Sequence, residues 1–256
     1  MAKMLAFHSY KGGAGKTFLS VNTAGMLAKM GNKVCLLDFD FLAPSLLALF
    51  KVNRPRAWVN DFLAGKYEIQ KAIVELDSKN DSTGRLFVGF ANPNFRAILA
   101  MNDADKRKEL QVLEKILALR RELFEIESFD YVLLDAGPGL NYSSVNAIVA
   151  SDFAVLVTTL DLSYTEGTAR MIRDIYRVLE KKFGLLINKA FDVSTKAKKI
   201  EVERFVENNY GVPLIGILPC FCDVSRAEGA PFFALDKPTH PFSMALQEIL
   251  TKDFLS

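Results

Sequence analysis

Residues 11–17 read Lys-Gly-Gly-Ala-Gly-Lys-Thr, and the residue types and spacing in that stretch suit the binding of phosphate. Gly12, Gly13 and Gly15, with the small Ala14 between them, let successive backbone N–H groups converge on phosphate oxygens. Lys16 would reach the β- and γ-phosphates, the Thr17 hydroxyl can ligate Mg²⁺, and a helix starting here adds its positive end. The flanks supply that context: Met4 to Phe7 is a short apolar run expected to be a strand, and residues 18–30 repeat apolar side chains at helical spacing before Gly31 can end them. A glycine-rich turn with a stray lysine would need neither flank.

Further apolar runs stop at polar residues. Residues 33–37 stop at Asp38-Phe39-Asp40, 131–134 at Asp135, 153–157 at Thr158, 185–187 at Asn188 and 214–218 at Pro219, with 86–88 a further strand candidate. Near-continuous apolar runs suit strands buried on both faces of a parallel sheet. Helical patterns lie between them, over residues 105–127, 142–150, 165–182, 196–208 and 242–253. The alternation predicts an α/β fold, a doubly wound, mostly parallel sheet with helices on both faces, spanning residues 1–256 as one domain. No linker or repeat interrupts it, and residues 77–84 read as an exposed loop. Ligands of such sheets sit beyond the carboxyl ends of the strands, which here carry Asp40, Asp135, Asn188 and Asp223.

These ends assemble a phosphoryl-transfer site on paper. Such chemistry asks chiefly for positioning and charge neutralisation, so a carboxylate of ordinary acidity, Asp40, suffices to orient a water. Asp135 opens Asp-Ala-Gly-Pro-Gly and can hold Mg²⁺ through a bound water, which makes Thr17, Asp40 and Asp135 the candidate Mg²⁺ set. Gly139 is spaced to offer a backbone N–H to a γ-phosphate, and Asp38 is expected to be structural or to support the site from behind the residues that touch the ligand.

Lys11 gives the phosphate loop the form K-G-G-x-G-K-T, a deviant Walker A motif that resembles the MinD/ParA family of ATPases. Asp38-Phe39-Asp40 looks like that family's switch I and Asp135 to Gly139 like its Walker B and switch II. The resemblance runs from Met4 to Leu250. It implies an Mg²⁺-dependent ATPase that forms a homodimer around two ATP molecules, with Lys11 crossing to the partner's nucleotide and with Lys11, Lys16 and Asp40 as the catalytic set. It also implies that Asn188 contacts adenine and that the loop Pro219-Cys220-Phe221-Cys222-Asp223 closes over the base. Asn188-Lys189-Ala190-Phe191-Asp192 comes near the guanine-reading N-K-x-D pattern, one residue too long, so ATP is expected over GTP. Phe18 departs from the pattern: relatives carry a second hydroxyl there that touches the α-phosphate, so that contact is lost or replaced.

Composition narrows the rest. In 256 residues, half of them hydrophobic, 32 Lys and Arg stand against 30 Asp and Glu, and a net charge of +2 gives no global push toward nucleic acid or an acidic membrane. Any such binding would be local. Neither a signal peptide nor a membrane span is legible, and a cytoplasmic protein is expected. Three cysteines cannot all pair. Cys220 and Cys222 keep open a second function class, a metal-centre or Fe–S carrier using ATP to regulate delivery, although C-x-C is not the usual ligand spacing. A nucleotide-binding scaffold with little hydrolysis is a third. His8 and His240 read as packing or surface residues. Arg170, Arg173, Arg177 and Lys181 form one stripe on a helix whose Met171, Ile172, Ile175, Val178 and Leu179 face the core; the stripe is either a solvated face or a dock for a protein partner or nucleic acid. The last helical stretch lacks the basic, amphipathic character of a membrane anchor, so none is expected.

Overall fold

The computed structural model describes residues 2–52, 55–76, 83–102, 106–193, 195–227 and 230–251, and of residues 102 and 106–110 the backbone only. In chain order the elements are β1 (Lys3–His8), α1 (Lys16–Lys29), β2 (Lys33–Phe39), α2 (Leu46–Phe50), α3 (Val59–Leu63), α4 (Ile69–Ala72), β3 (Ile73–Leu76) and β4 (Arg85–Gly89). There follow α5 (Phe95–Asn102), α6 (Lys106–Arg121), β5 (Tyr131–Ala136), α7 (Tyr142–Ala150), β6 (Phe153–Thr158), α8 (Leu162–Met171) and β7 (Phe183–Ala190). The chain closes with α9 (Lys196–Tyr210), β8 (Leu214–Pro219), α10 (Cys222–Arg226), α11 (Phe233–Asp236) and α12 (Pro241–Leu250). Both α6 and α8 run on into a wider π turn, over Glu122–Ile126 and Ile172–Tyr176.

The strands form one sheet in the order β3-β4-β2-β5-β1-β6-β7-β8, parallel except for β3. Alternate residues of a strand face opposite sides, and β1 shows why its run is unbroken: Leu5 and Phe7 enter one core, Met4 and Ala6 the other. One core lies under α1, α11 and α12, and the opposite face is covered by α3, α6 and α7 on one half and by α8 and α9 on the other.

Connectivity positions the site. From β1 the chain passes through α1 to β2, beyond β5; from β5 it passes through α7 to β6, on the other side of β1. The two crossovers diverge at neighbouring strands, the point where a doubly wound sheet opens a crevice at its carboxyl edge. Register brings the chemistry together there, since Asp135 lies opposite Phe7 on β1 and opposite Asp38 on β2.

The expected elements are present, with shifted bounds. β7 extends to Ala190, so Asn188 lies inside the strand rather than after it. α8 starts at Leu162, three residues before the expected start, because the Asp161 side chain accepts a hydrogen bond from the Ser163 N–H and caps the helix. Val178 and Leu179 do not face the core: the π turn rotates the helix end, leaving Val178 72% and Leu179 38% exposed while Tyr176 is buried. Lys181 also leaves the arginine stripe, its Nζ donating to the Val149 carbonyl at 2.7 Å. Of the exposed loop expected over 77–84, residues 77–82 lie outside the described residues, as do residue 105 of one expected helix and 252–253 of another.

Candidate functional site

The phosphate loop joins β1 to α1. Gly15 takes φ 94°, a left-handed conformation that a β-carbon would strain, and so turns the chain into the helix. No side chain caps α1 and no acid occupies its first turn, so the first N–H groups of a fourteen-residue helix are left for a ligand. Loop N–H groups can turn inward only if the carbonyls turn outward and find donors. Three successive carbonyls do: Gly12 accepts from the Tyr164 hydroxyl at 2.6 Å, Gly13 from Lys189 Nζ at 2.8 Å and Ala14 from Asn188 Nδ2 at 2.8 Å. Asn188 is packed so close that a β-carbon on Gly15 would lie 2.4 Å from its amide nitrogen.

Lys16 is 7% exposed, and burial pulls its pKa down while Asp135 and Asp40 hold it up. Asp135 is fully buried, and burial raises its carboxyl to about 6 despite the opposing influence of the Thr17 hydroxyl and Lys16. Neither of its oxygens has a hydrogen-bond partner in bonding geometry, although Thr17 and Ser20 stand close enough to favour its charged form. An unpartnered buried carboxylate beside a threonine hydroxyl at the mouth of a phosphate loop fits a hard divalent cation, which takes oxygen ligands.

Asp38 is pushed well above the usual carboxylate range by burial and by Asp135, and its oxygens accept from the N–H groups of Asp40, Ser45 and Leu46. These bonds shape the turn after β2. Asp40 accepts from the Ala43 N–H, and a β-carbon on Gly137 would meet its Oδ1 at 3.0 Å, so the loops after β2 and β5 touch. Gly139 takes φ 74°, and its N–H donates to the Ser9 carbonyl at 2.9 Å, so a γ-phosphate would have to displace that bond.

Beside the loop lies a cavity of about 620 Å³ lined by Gly15, Thr17, Phe18, Asn188, Pro219 and Cys220 among others. Phe18 is held by packing: its ring lies 5.4 Å from that of Phe242 and 6.3 Å from that of Phe233. Asp223 does not line the cavity. It faces away, 3.1 Å from His240 Nε2 and 3.9 Å from Lys237 Nζ. Cys222 is exposed at the start of α10, and among the described residues no group of three or more His, Cys, Asp or Glu is placed to hold a metal. Lys11 is exposed, its Nζ 5.5 Å from the Tyr164 ring centroid.

A family model described as AAA domain (AAA_31) matches residues 2–193. The chain belongs to this family, among the MinD/ParA P-loop ATPases. An uncharacterized ATP-binding protein of Methanocaldococcus jannaschii is 29% identical over 256 residues, covering 98% of this chain and 88% of its own. The septum site-determining protein MinD of Synechocystis is 27% identical over 252 residues, with 97% and 88% covered. Among solved structures, Pyrococcus horikoshii MinD complexed with Mg-ADP superposes with a TM-score of 0.78 at 22% identity, covering 100% of this chain and 99% of that one. This family member therefore has a MinD-like fold, and no described helix is long and apolar enough to cross a membrane.

Tyr164, Lys189 and Ser9, whose hydroxyl donates to the Lys11 carbonyl, support the loop without having been legible as site residues. The signal for Lys189 was its place beside Asn188 at a positive φ of 55°; Tyr164 had none, because it is 152 residues from its acceptor.

Proposed function

We propose that this chain is an Mg²⁺-dependent ATP-binding and hydrolysing switch that dimerises around ATP and acts through a protein partner in spatial organisation or cargo regulation. The observation that carries this reading is the set of three outward carbonyls of Gly12, Gly13 and Ala14, each held by a side chain from another element. A loop so braced presents its N–H groups, with Lys16, to phosphates without first having to order itself. Thr17 and Asp135 would hold Mg²⁺, which neutralises charge on the phosphates when bound, and Asp40 would orient the attacking water.

Adenine follows from the orientation of Asn188. Its amide nitrogen gives one of its two hydrogens to the Ala14 carbonyl, which fixes the amide and puts its oxygen on offer as an acceptor. An acceptor suits the exocyclic amine of adenine and repels the carbonyl that guanine carries in that place. Dimerisation is supported by apolar side chains left in water on the carboxyl-edge loops: Leu42 is 41%, Leu140 48% and Leu162 79% exposed. The proposed docking face for a partner is that of α8 and the π turn that continues it, where Arg170, Arg173 and, just beyond, Arg177 are exposed.

The test is titration calorimetry with ATP and GTP in Mg²⁺, followed by phosphate release. ATP should bind at least about tenfold tighter, or about 1.4 kcal/mol. Equal affinities would overturn the base assignment, and binding without release would leave a scaffold rather than a hydrolase.

A further inference from the structure

Two polar side chains outside the phosphate chemistry lie fully buried between the loop after β5 and α8. His8 ends β1, and Tyr176 sits in the π turn that continues α8. His8 Nδ1 is 2.9 Å from the Tyr176 hydroxyl and His8 Nε2 is 2.8 Å from the Gly139 carbonyl oxygen. The carbonyl has no hydrogen to give, so Nε2 carries the proton and donates it. Burial lowers the His8 pKa to about 4, so the ring is neutral, and a neutral ring protonated at Nε2 must accept at Nδ1. Hence Tyr176 donates to His8 and His8 donates to Gly139. The direction of both bonds is fixed.

At the near end of this link, Gly139 is held on both sides. Its carbonyl takes a second bond from Ser144 Oγ at 2.8 Å, and its N–H is bonded to the Ser9 carbonyl. Any ligand atom that competes for that N–H moves Gly139, and its carbonyl moves with it against His8. At the far end, α8 is also tied to the phosphate loop by the Tyr164 hydroxyl on Gly12. One helix is thus bonded at its start to the phosphate loop and at its π turn, through His8, to Gly139. Between those anchors Arg170 and Arg173 are exposed, and Arg177 is exposed just beyond the second.

Resting on the ATP-switch reading above, we infer that His8 and Tyr176 are positioning residues that transmit occupancy of the γ-phosphate position from Gly139 to α8, the face a partner would read. The coupling needs two packed arrangements of this link, and the buried, directional bonds provide the contacts that distinguish them.

Hydrogen exchange of residues 162–177 tests it, comparing Mg-ADP with a non-hydrolysable ATP analogue at a concentration where light scattering reports a monomer. The wild type should exchange at different rates in the two states. Tyr176→Phe, which keeps the ring, and His8→Asn, too short to span the gap, should each shrink that difference by about threefold or more, with ADP affinity within about twofold of wild type. Phe183→Leu serves as the control: it removes the ring packed 4.5 Å from Tyr176 but leaves both hydrogen bonds, and should keep the difference. No difference in the wild type, an undiminished one in both relay variants, or an equal loss in the control would overturn the link. A wild type that binds neither nucleotide would refute the ATPase reading instead.

Discussion

Asp135 is a buried carboxylate whose charge a proton or a divalent cation would relieve. Its folded pKa of about 6, against 3.8 for the free side chain, means that the native state binds the extra proton between those values. Stability from this group is therefore lost as pH rises from about 4 to 6, and above that the full penalty, roughly 2 to 3 kcal/mol, remains. His8 works in the opposite direction: its pKa is lowered from 6.5 to about 4, so its contribution is present above the unfolded value and is lost as pH falls toward 4. Asp135→Asn should raise the unfolding free energy of the nucleotide-free protein at pH 7 by about 1 to 3 kcal/mol while abolishing Mg²⁺-dependent gain in nucleotide affinity. Denaturant melts with and without nucleotide, Mg²⁺ and a chelator check both halves. A variant that is less stable at pH 7 would mean that the carboxylate is already satisfied without metal. In the wild type, the Mg²⁺ enhancement should weaken as pH drops through about 6, because protons and cation then compete for the same oxygens.

At the scale of elements, α1 and the loop that leads into it are fastened by different means, and Phe18 is the less expected of them. Its ring packs with Phe242 of α12 and Phe233 of α11, where relatives are expected to place a hydroxyl. Phe18→Ser should restore a hydroxyl toward the α-phosphate yet lower stability by about 1 to 2 kcal/mol, the scale of a partly buried aromatic contact. Tyr164→Phe probes the other fastening: deleting the hydroxyl that holds the Gly12 carbonyl should weaken ADP binding by about 1 kcal/mol, read by calorimetry, with little change in melting temperature. Affinity equal to wild type would mean the loop keeps its shape without that brace. The same elements explain what was legible beforehand. β1, β2, β5, β6, β7 and β8 read as strands because burial on both faces makes their sequences uniformly apolar, and their polar ends marked the carboxyl edge. Residues 46–102 were mostly opaque: α2, α3 and α4 span only four or five residues each, too short for a helical period, and edge strand β3 packs through just Ile73, Val74 and Leu76. The loop spelling from Pro219 to Asp223 does not set the direction of the Asp223 carboxylate, which finds His240 nearby.

At the scale of the whole molecule, the diverging crossovers leave β1 and β5 with their ends open, and the residues proposed to handle phosphate project from that one edge. A second copy meeting this edge would cover Leu42, Leu140 and Leu162 together with the exposed Lys11. Lys11 and Lys16 are five residues apart and have opposite surroundings. Lys16 is buried beside Asp135 and Asp40, the surroundings expected of a lysine that would serve its own chain's phosphates. Lys11 stands in solvent over the Tyr164 ring, a contact worth about 0.5 to 1 kcal/mol at an exposed site, weak enough to be surrendered to a partner's phosphates. Lys16→Ala should accordingly weaken nucleotide binding in the monomer. Lys11→Ala should leave monomer affinity nearly unchanged while removing ATP-dependent dimerisation and lowering turnover by a factor on the order of 10³, as expected when a transferred cation is lost. Calorimetry, together with light scattering in a non-hydrolysable ATP analogue, separates the two variants. If the Lys11→Ala protein still dimerises and turns over ATP, the carboxyl edge is an ordinary phosphate site, the apolar side chains around it need another explanation, and the switch would have to operate within one chain.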